Sequence, residues 1–238
     1  MSYTLNIGHF YPELLNLYGD KGNVTALKKR VEWRNMEVNV IEISENDEID
    51  FNSIDIAVIG GGSEKELLTV LKKLQNVSAD LKSYVESSGV VLAVCGGFEM
   101  LGESLFLNGK KEKGLGVLNM HSEQGSKRFT GNVVAETDFG KIVGFENHSG
   151  RTYIENNAPL GTVVCGNGNN GEDKKEGVVY KNLFGTYLHG ALLPKNPELA
   201  DEIILRALKR KYGEDIKLAP LDDSCEERAK QYIVDLCR

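Results

Sequence analysis

One stretch limits what this chain can fold into: Val90-Val91-Leu92-Ala93-Val94-Cys95-Gly96-Gly97-Phe98-Glu99-Met100-Leu101-Gly102. Its first five residues are apolar and mostly β-branched, the pattern of a strand buried on both faces. A cysteine, two glycines and an apolar helix start follow at once. Strand, sharp turn and helix in that order resemble a nucleophile elbow, in which a strained turn lifts one side chain above the ends of the strands. The backbone doubles back there, so small residues are required around Cys95, and Ala93 and Gly97 supply them two positions away on either side. The N–H of Gly96 would then face an oxyanion forming beside the sulfur. A core cysteine ahead of a glycine-rich turn would show the same short pattern, so the rest of the chain has to decide.

The surrounding segments alternate between the two periodicities. Tyr3–Phe10, Val38–Ile43 and Ile54–Ile59 read as strands, the last running into Gly60-Gly61-Gly62. Between the first two, Tyr11–Asn23 holds too many turn formers for a continuous helix. Asn23 is placed to cap a helix to Asn35, with Val24, Leu27 and Val31 on one face. Leu67, Leu68, Leu71 and Leu74 mark a helix, continued or followed by another to Ser88. Strands alternating with helices predict right-handed βαβ units and a parallel sheet.

After Gly114 the texture changes. Gly131–Glu136, Lys141–Phe145, Thr162–Cys165 and Gly177–Tyr180 read as antiparallel strands, with an exposed loop at Gly166–Gly171. Leu183–Leu188 is another strand with His189-Gly190 at its end. Asn196-Pro197 opens a helix that Gly213 closes, and Asp222–Leu236 is a last helix with Ala229, Tyr232, Ile233 and Leu236 on one face. With no internal repeat and no linker, residues 1–238 read as one α/β domain with a helical extension at about 214–238.

Net charge is −7 over 238 residues, so nucleic acid is not the expected main partner. No apolar run reaches the length of a membrane span and the N-terminus shows no signal-peptide pattern, so a cytoplasmic location is expected. The cysteines Cys95, Cys165, Cys225 and Cys237 show no metal-ligand spacing, and no metal is expected in this chain.

A catalytic thiol needs a base, and histidine is the usual one near neutral pH. Of His9, His121, His148 and His189, the last is best placed. It ends an apolar strand before a glycine, and open parallel sheets put their sites at the carboxyl ends of strands. His148, in Glu146-Asn147-His148-Ser149-Gly150-Arg151-Thr152, reads as a loop residue that lines or braces the site. Gly61 and Gly62 are candidate oxyanion donors, because glycine lets backbone N–H groups approach a ligand closely. There is no P-loop motif, so ATP binding of that kind is not expected.

Gly60-Gly61-Gly62, the elbow around Cys95 and Tyr187-Leu188-His189-Gly190 resemble the class I glutamine amidotransferases of the cobyric acid synthase type. Tyr18-Gly19-Asp20-Lys21-Gly22-Asn23 and Glu146–Thr152 narrow the resemblance to the glutaminase subunits of lipid II isoglutaminyl synthases. It covers roughly residues 3 to 210. It implies a flavodoxin-like amidotransferase sandwich, a mostly parallel sheet flanked by helices with extra antiparallel strands. Cys95 would attack the amide of L-glutamine, His189 would move the proton, and Gly96 with the Gly60–Gly62 loop would hold the oxyanion. Arg128 would bind the substrate, its planar fork suiting the α-carboxylate. Ammonia would pass to a Mur-ligase-like (MurT) synthetase subunit in a heterodimer. That partner would carry ATP and Mg and amidate the D-glutamate of lipid II to D-isoglutamine, a step of peptidoglycan synthesis.

Three positions depart from the family pattern: Glu99 stands where glutamine is usual, Ala93 where glycine is usual, and Ser63-Glu64 where Gln-Asp is usual. Many class I glutaminases also carry an acid two residues beyond the histidine, where this chain has Ala191. The orienting acid is therefore expected from the synthetase, or else from Glu99 or an acid of the Tyr11–Asn23 segment. A glutaminase serving a corrinoid and a non-catalytic partner-binding scaffold are the competing readings.

Overall fold

The computed structural model describes residues 3–237. In chain order the elements are β1 (Thr4–Phe10), α1 (Lys21–Glu32), β2 (Glu37–Ile43), β3 (Ile56–Ile59), α2 (Glu64–Gln75), α3 (Ser78–Glu86), β4 (Val90–Val94) and α4 (Gly96–Met100). There follow β5 (Ser104–Leu107), β6 (Lys110–Lys113), β7 (His121–Thr137), β8 (Gly140–Tyr153), β9 (Gly161–Cys165), β10 (Lys175–Glu176), β11 (Val178–Tyr180) and β12 (Leu183–Thr186), then α5 (Pro197–Tyr212) and α6 (Ser224–Leu236).

The first sheet has the order β11-β12-β4-β3-β1-β2, parallel except for β11 at its edge. Its central strands are apolar throughout because both faces are covered. Side chains alternate between faces at period two. Val90, Leu92, Val94, Ile56 and Val58 pack with α1 and α5, whereas Val91, Ala93, Ala57 and Ile59 pack with α2 and α3. The second sheet, β10-β9-β7-β5-β6 with β8 paired to β7, is mostly antiparallel. The two sheets meet where Phe145 on β8 exchanges main-chain hydrogen bonds with His189, just past β12.

Several local expectations change, each for a physical reason. The helix α1 begins after Asp20, not Asn23. The Asn23 amide instead turns inward, donating to Asp20 Oδ1 at 3.2 Å and accepting from Leu193 N at 2.9 Å. Of the two expectations for the stretch to Ser88, the second holds: one helix, α2, is followed by another, α3. The short strands expected around 131–136 and 141–145 are the distal ends of the long β7–β8 hairpin. Glu146–Thr152, expected as a loop, lies within β8. The Gly166–Gly171 loop is exposed at both ends but buried at Gly168, Asn169 and Asn170: Asn169 bonds both the N–H and the carbonyl of Gly177, and Glu146 accepts from the N–H groups of Asn167 and Gly168.

The strand before His189 stops at Thr186. There Glu176 Oε1 accepts from Thr186 Oγ1 (2.6 Å) and Tyr187 N (3.0 Å), which turns the chain away from the sheet. On α6 the expected apolar face is not the buried one. Lys230 and Val234 face inward, Ile233 is half-buried, and Ala229, Tyr232 and Leu236 are exposed. The Lys230 ammonium pairs with Glu198 at 2.6 Å and Glu227 at 2.7 Å, and that ion pair to α5 sets the rotation of the helix.

Candidate active site

The parallel register puts three turns at one edge of the sheet. Ile59 lies opposite Ala93, and Val94 opposite Thr186. The Gly60–Gly62 turn after β3, Cys95 after β4 and His189 after β12 therefore emerge side by side at the carboxyl ends of the strands. The 11–20 segment emerges from β1 at the same edge.

Cys95 has φ +53° and ψ −117°, a left-handed backbone conformation uncommon for a residue with a side chain. It is held there by Cys95 N–H donating to Thr186 O (2.8 Å) and Glu99 N–H donating to Cys95 O (3.0 Å). A side chain at Gly61 would press on Cys95, since its Cβ would lie 3.2 Å from the cysteine Cβ. The N–H of Gly61, expected as an oxyanion donor, is already committed to Asp20 Oδ2 at 2.9 Å. Gly62 and Gly96 both line the cavity in front of the sulfur.

That cavity measures about 300 Å³, at the small end for ligand pockets and suited to a single amino acid. Its walls include Tyr18, Cys95, Glu99, Arg128, Asn147 and His148. Arg128 sits in the irregularity where β7 slips register against β8 between Gln124 and Phe129. Such a bulge re-aims side chains. Its Nη1 donates to both Asn147 O and Asn147 Oδ1 at 3.0 Å.

His189 is buried and does not itself line the cavity. Its ring donates to the main-chain carbonyl of Asn147, and its Nε2 has no hydrogen-bond partner. Tyr18 stacks on it with centroids 4.0 Å apart and planes 13° apart. Phe145 meets it edge-on at 6.1 Å. Burial, with His148 nearby, pulls its pKa down to about 4. Burial pushes the Cys95 thiol well up, and the carboxyls of Glu99 and Asp20 add to that. Both shifts favour the uncharged form, thiol for Cys95 and imidazole for His189.

Neither candidate acid within this chain reaches His189. Asp20, fully buried and raised to about 6 by burial, is bonded to Gly61 and Asn23. Glu99, raised by burial, accepts from Tyr187 Oη at 2.5 Å. The Tyr187 hydroxyl continues through Thr152 Oγ1 (2.7 Å) to Ser122 Oγ (2.7 Å). His148 lies flat on Tyr187, with ring centroids 3.6 Å apart, and its Nδ1 bonds Gly150 O at 2.9 Å, so it forms part of the wall. Cys165, Cys225 and Cys237 are outside the cavity. Tyr18, Asp20 and Asn147 are site residues that sequence reasoning did not single out. The first two belong to the turn-rich Tyr18–Asn23 segment and the third precedes His148, so proximity to flagged motifs was the available signal.

The model of the CobB/CobQ-like glutamine amidotransferase domain matches residues 6–197. The chain is 46% identical to the lipid II isoglutaminyl synthase (glutamine-hydrolyzing) subunit GatD of Staphylococcus aureus (strain N315), over 98% of this chain and 96% of that protein. It is 43% identical to the GatD subunit of Streptococcus pneumoniae (strain ATCC BAA-255 / R6), over 97% and 91%. A probable cobyric acid synthase of Methanococcus maripaludis is 30% identical, but over 68% of this chain and only 36% of that protein. Among solved structures, a glutamine amidotransferase from Thermotoga maritima superposes with a TM-score of 0.54 at 14% identity, covering 98% of this chain and 94% of that one. That likeness speaks for the fold.

Proposed function

The chain belongs to the CobB/CobQ-like glutamine amidotransferases, and from that premise we propose that it is the glutaminase subunit of a lipid II isoglutaminyl synthase. Cys95 Sγ attacks the side-chain carbonyl carbon of L-glutamine while His189 takes the thiol proton. The N–H groups of Gly62 and Gly96 hold the oxyanion, and Arg128 holds the α-carboxylate. Collapse of the tetrahedral adduct breaks the C–N bond. His189 returns the proton to the leaving nitrogen, giving ammonia and a γ-glutamyl thioester, which water hydrolyses to glutamate.

The ammonia goes to a Mur-ligase-like (MurT) synthetase subunit. That partner would bind ATP and Mg and activate the α-carboxyl of D-glutamate in the lipid II stem peptide, and ammonia would displace the activating group, leaving D-isoglutamine within the peptide. No acid among the described residues is hydrogen-bonded or ion-paired to His189, so the reading assigns the orienting carboxylate to the synthetase, docked over the strand ends near Ala191.

The observation that carries this reading is Cys95, held at positive φ at the strand-to-helix turn and facing an amino-acid-sized cavity with Arg128 on its wall. The corrinoid alternative is less favoured, because cobyric acid synthases match only part of the chain whereas the GatD subunits match nearly all of it. The test is ammonia release from glutamine by the chain mixed with its synthetase subunit. Cys95→Ala should abolish it and leave the fold intact, while replacing Cys165, Cys225 and Cys237 should leave it. Undiminished turnover in Cys95→Ala would overturn the assignment.

A further inference from the structure

Beside the cavity the β7–β8 ladder is interrupted. Gln124 pairs with Gly150 and Phe129 with His148, so β7 runs through residues 125–128 while β8 runs through Ser149 alone. Extra residues on one strand leave main-chain groups outside the ladder and let that strand bend. The bulge has few contacts of its own to fix its shape, since Ser126, Lys127 and Arg128 are exposed and Gly125 has no side chain. Both strands line the cavity at this point, β7 with Gln124 and Arg128, β8 with Ser149 and Gly150.

Arg151, half-buried on β8 and outside the cavity, reaches across the interruption. Its Nη2 donates to Lys127 O at 2.5 Å, the carbonyl directly ahead of Arg128. Its Nη1 donates to Ser149 O at 3.1 Å and Gly150 O at 2.9 Å. Its Cζ lies 3.3 Å from the ring centroid of Phe129, the first residue past the bulge, so the guanidinium rests on that ring. Gly125, where the bulge begins, leaves room for it: a Cβ there would lie 2.6 Å from Arg151 Cζ. One planar group thus joins both ends of the bulge to the strand opposite. A rigid fork of N–H donors suits that task, and a compact ammonium does not. Asn147 holds the tip of the Arg128 side chain through Nη1, whereas Arg151 holds the backbone from which that side chain starts.

We propose that Arg151 is a positioning residue for substrate binding: it locks the β7 bulge so that Arg128 presents its guanidinium to the α-carboxylate of glutamine. A binding group has to be held to within about 0.5 Å of its working position, and Arg151 supplies the restraint that the exposed bulge lacks. The inference rests on the reading of Arg128 as the carboxylate-binding group.

The test is steady-state glutamine hydrolysis by the full chain assembled with its synthetase subunit. Arg151→Met keeps much of the side chain's bulk and loses the fork. Its KM for glutamine should rise about tenfold, the lower end of the effect of losing a charge-assisted contact to substrate. Its kcat should stay within about twofold of wild type, because a misplaced Arg128 weakens ground state and transition state alike. Arg151→Lys keeps the charge but cannot span three carbonyls while lying on a ring, so its KM should rise as much. Phe129→Leu removes the ring beneath the guanidinium and should raise KM severalfold. A general loss of packing would act in any background, whereas lost positioning acts only through Arg128. With Arg128→Ala already in place, each of the three substitutions should therefore change KM by less than about twofold.

A wild-type KM in Arg151→Met would overturn the proposal, and so would full-sized effects in the Arg128→Ala background. Recovery of the wild-type KM by Arg151→Lys would also overturn it, because the charge and not the fork would then be what matters. If both Arg151 variants fail to fold, Phe129→Leu decides: a raised KM that vanishes with Arg128→Ala supports the proposal, and any other result overturns it. Failure of the underlying reading looks different, since Arg128→Ala alone would then keep the wild-type KM for glutamine.

Discussion

At the residue scale, the protonation states of the pair decide how the site works. A thiol pushed up by burial and an imidazole pulled down to about 4 cannot form a resting ion pair at neutral pH. On the proposed reading, thiolate forms only as substrate and oxyanion donors come into place. Glu99 fits that arrangement. A carboxylate near the sulfur would oppose thiolate formation, but burial raises its pKa and the Tyr187 hydroxyl donates to it, which blunts the repulsion. Arg128 is the cationic side chain on the cavity wall. Losing a charge-assisted hydrogen bond costs about 1.5–3 kcal/mol, roughly ten- to a hundredfold in kcat/KM. Arg128→Ala should lower kcat/KM for glutamine by that much, and Arg128→Lys should recover only part of it, because an ammonium lacks the bidentate fork. Steady-state kinetics matching wild type in Arg128→Ala would remove Arg128 from the substrate site.

At the scale of elements, the junction of β10, β12 and β8 behind the site carries a buried acid with a consequence for stability. Glu176 is fully buried; its Oε1 turns the chain at Thr186 and Tyr187, and its Oε2 has no partner. Burial raises its pKa from 4.5 to about 7. Because the folded pKa is the higher one, the native state keeps the proton that the unfolded chain gives up. Below about 4.5 both forms are protonated and the group has no effect on stability. As pH rises from about 4.5 to 7 the native state loses stability, on the order of 3 kcal/mol at most. Glu176→Gln cannot ionise, so its stability advantage over wild type should widen across that interval and level off above it. Urea melts at stepped pH would measure this, and parallel curves for the two proteins would mean that Glu176 is not the titrating group. The other firm junction is ionic. Buried Arg30 of α1 reaches Asp201 of α5 (2.7 Å) and Asp223 ahead of α6 (2.6 Å), which ties the C-terminal helix to the sheet's helical face.

At the scale of the whole molecule, the proposed function leaves the surroundings of His189 to be completed by the synthetase. Ala191 stands where an orienting acid is usual, and the internal acids Asp20 and Glu99 are bonded elsewhere. The isolated chain should therefore hydrolyse glutamine slowly and accelerate when the synthetase subunit is added, since a misoriented imidazole loses much of its catalytic effect. Such coupling of turnover to assembly would also confine ammonia release to complexes that hold an acceptor. An isolated chain as active as the complex would refute a partner-supplied acid. No helix among the described residues is long and apolar enough to cross a membrane.

The central strands, their order of appearance, the elbow at Cys95 and the place of His189 at a strand end of the same sheet were legible in the sequence. They rest on local rules: continuous apolar runs, period-two alternation and small residues at a tight turn read the same in isolation as in the fold. The long β7–β8 hairpin was not legible, because Gly125-Ser126-Lys127-Arg128 has the chemistry of a turn and only pairing with β8 makes it a bulge that aims Arg128. The face of α6 was not legible either, since an ion pair from Lys230 to Glu198 outweighed its apolar pattern. The commitment of the Gly61 N–H to Asp20, and the stacking of Tyr18 on His189, join segments about forty and one hundred and seventy residues apart. Sequence determined which groups could do chemistry. Tertiary structure alone decided which of them touch and which hydrogen-bonding groups remain free, because those contacts depend on how separate segments pack and not on local propensity.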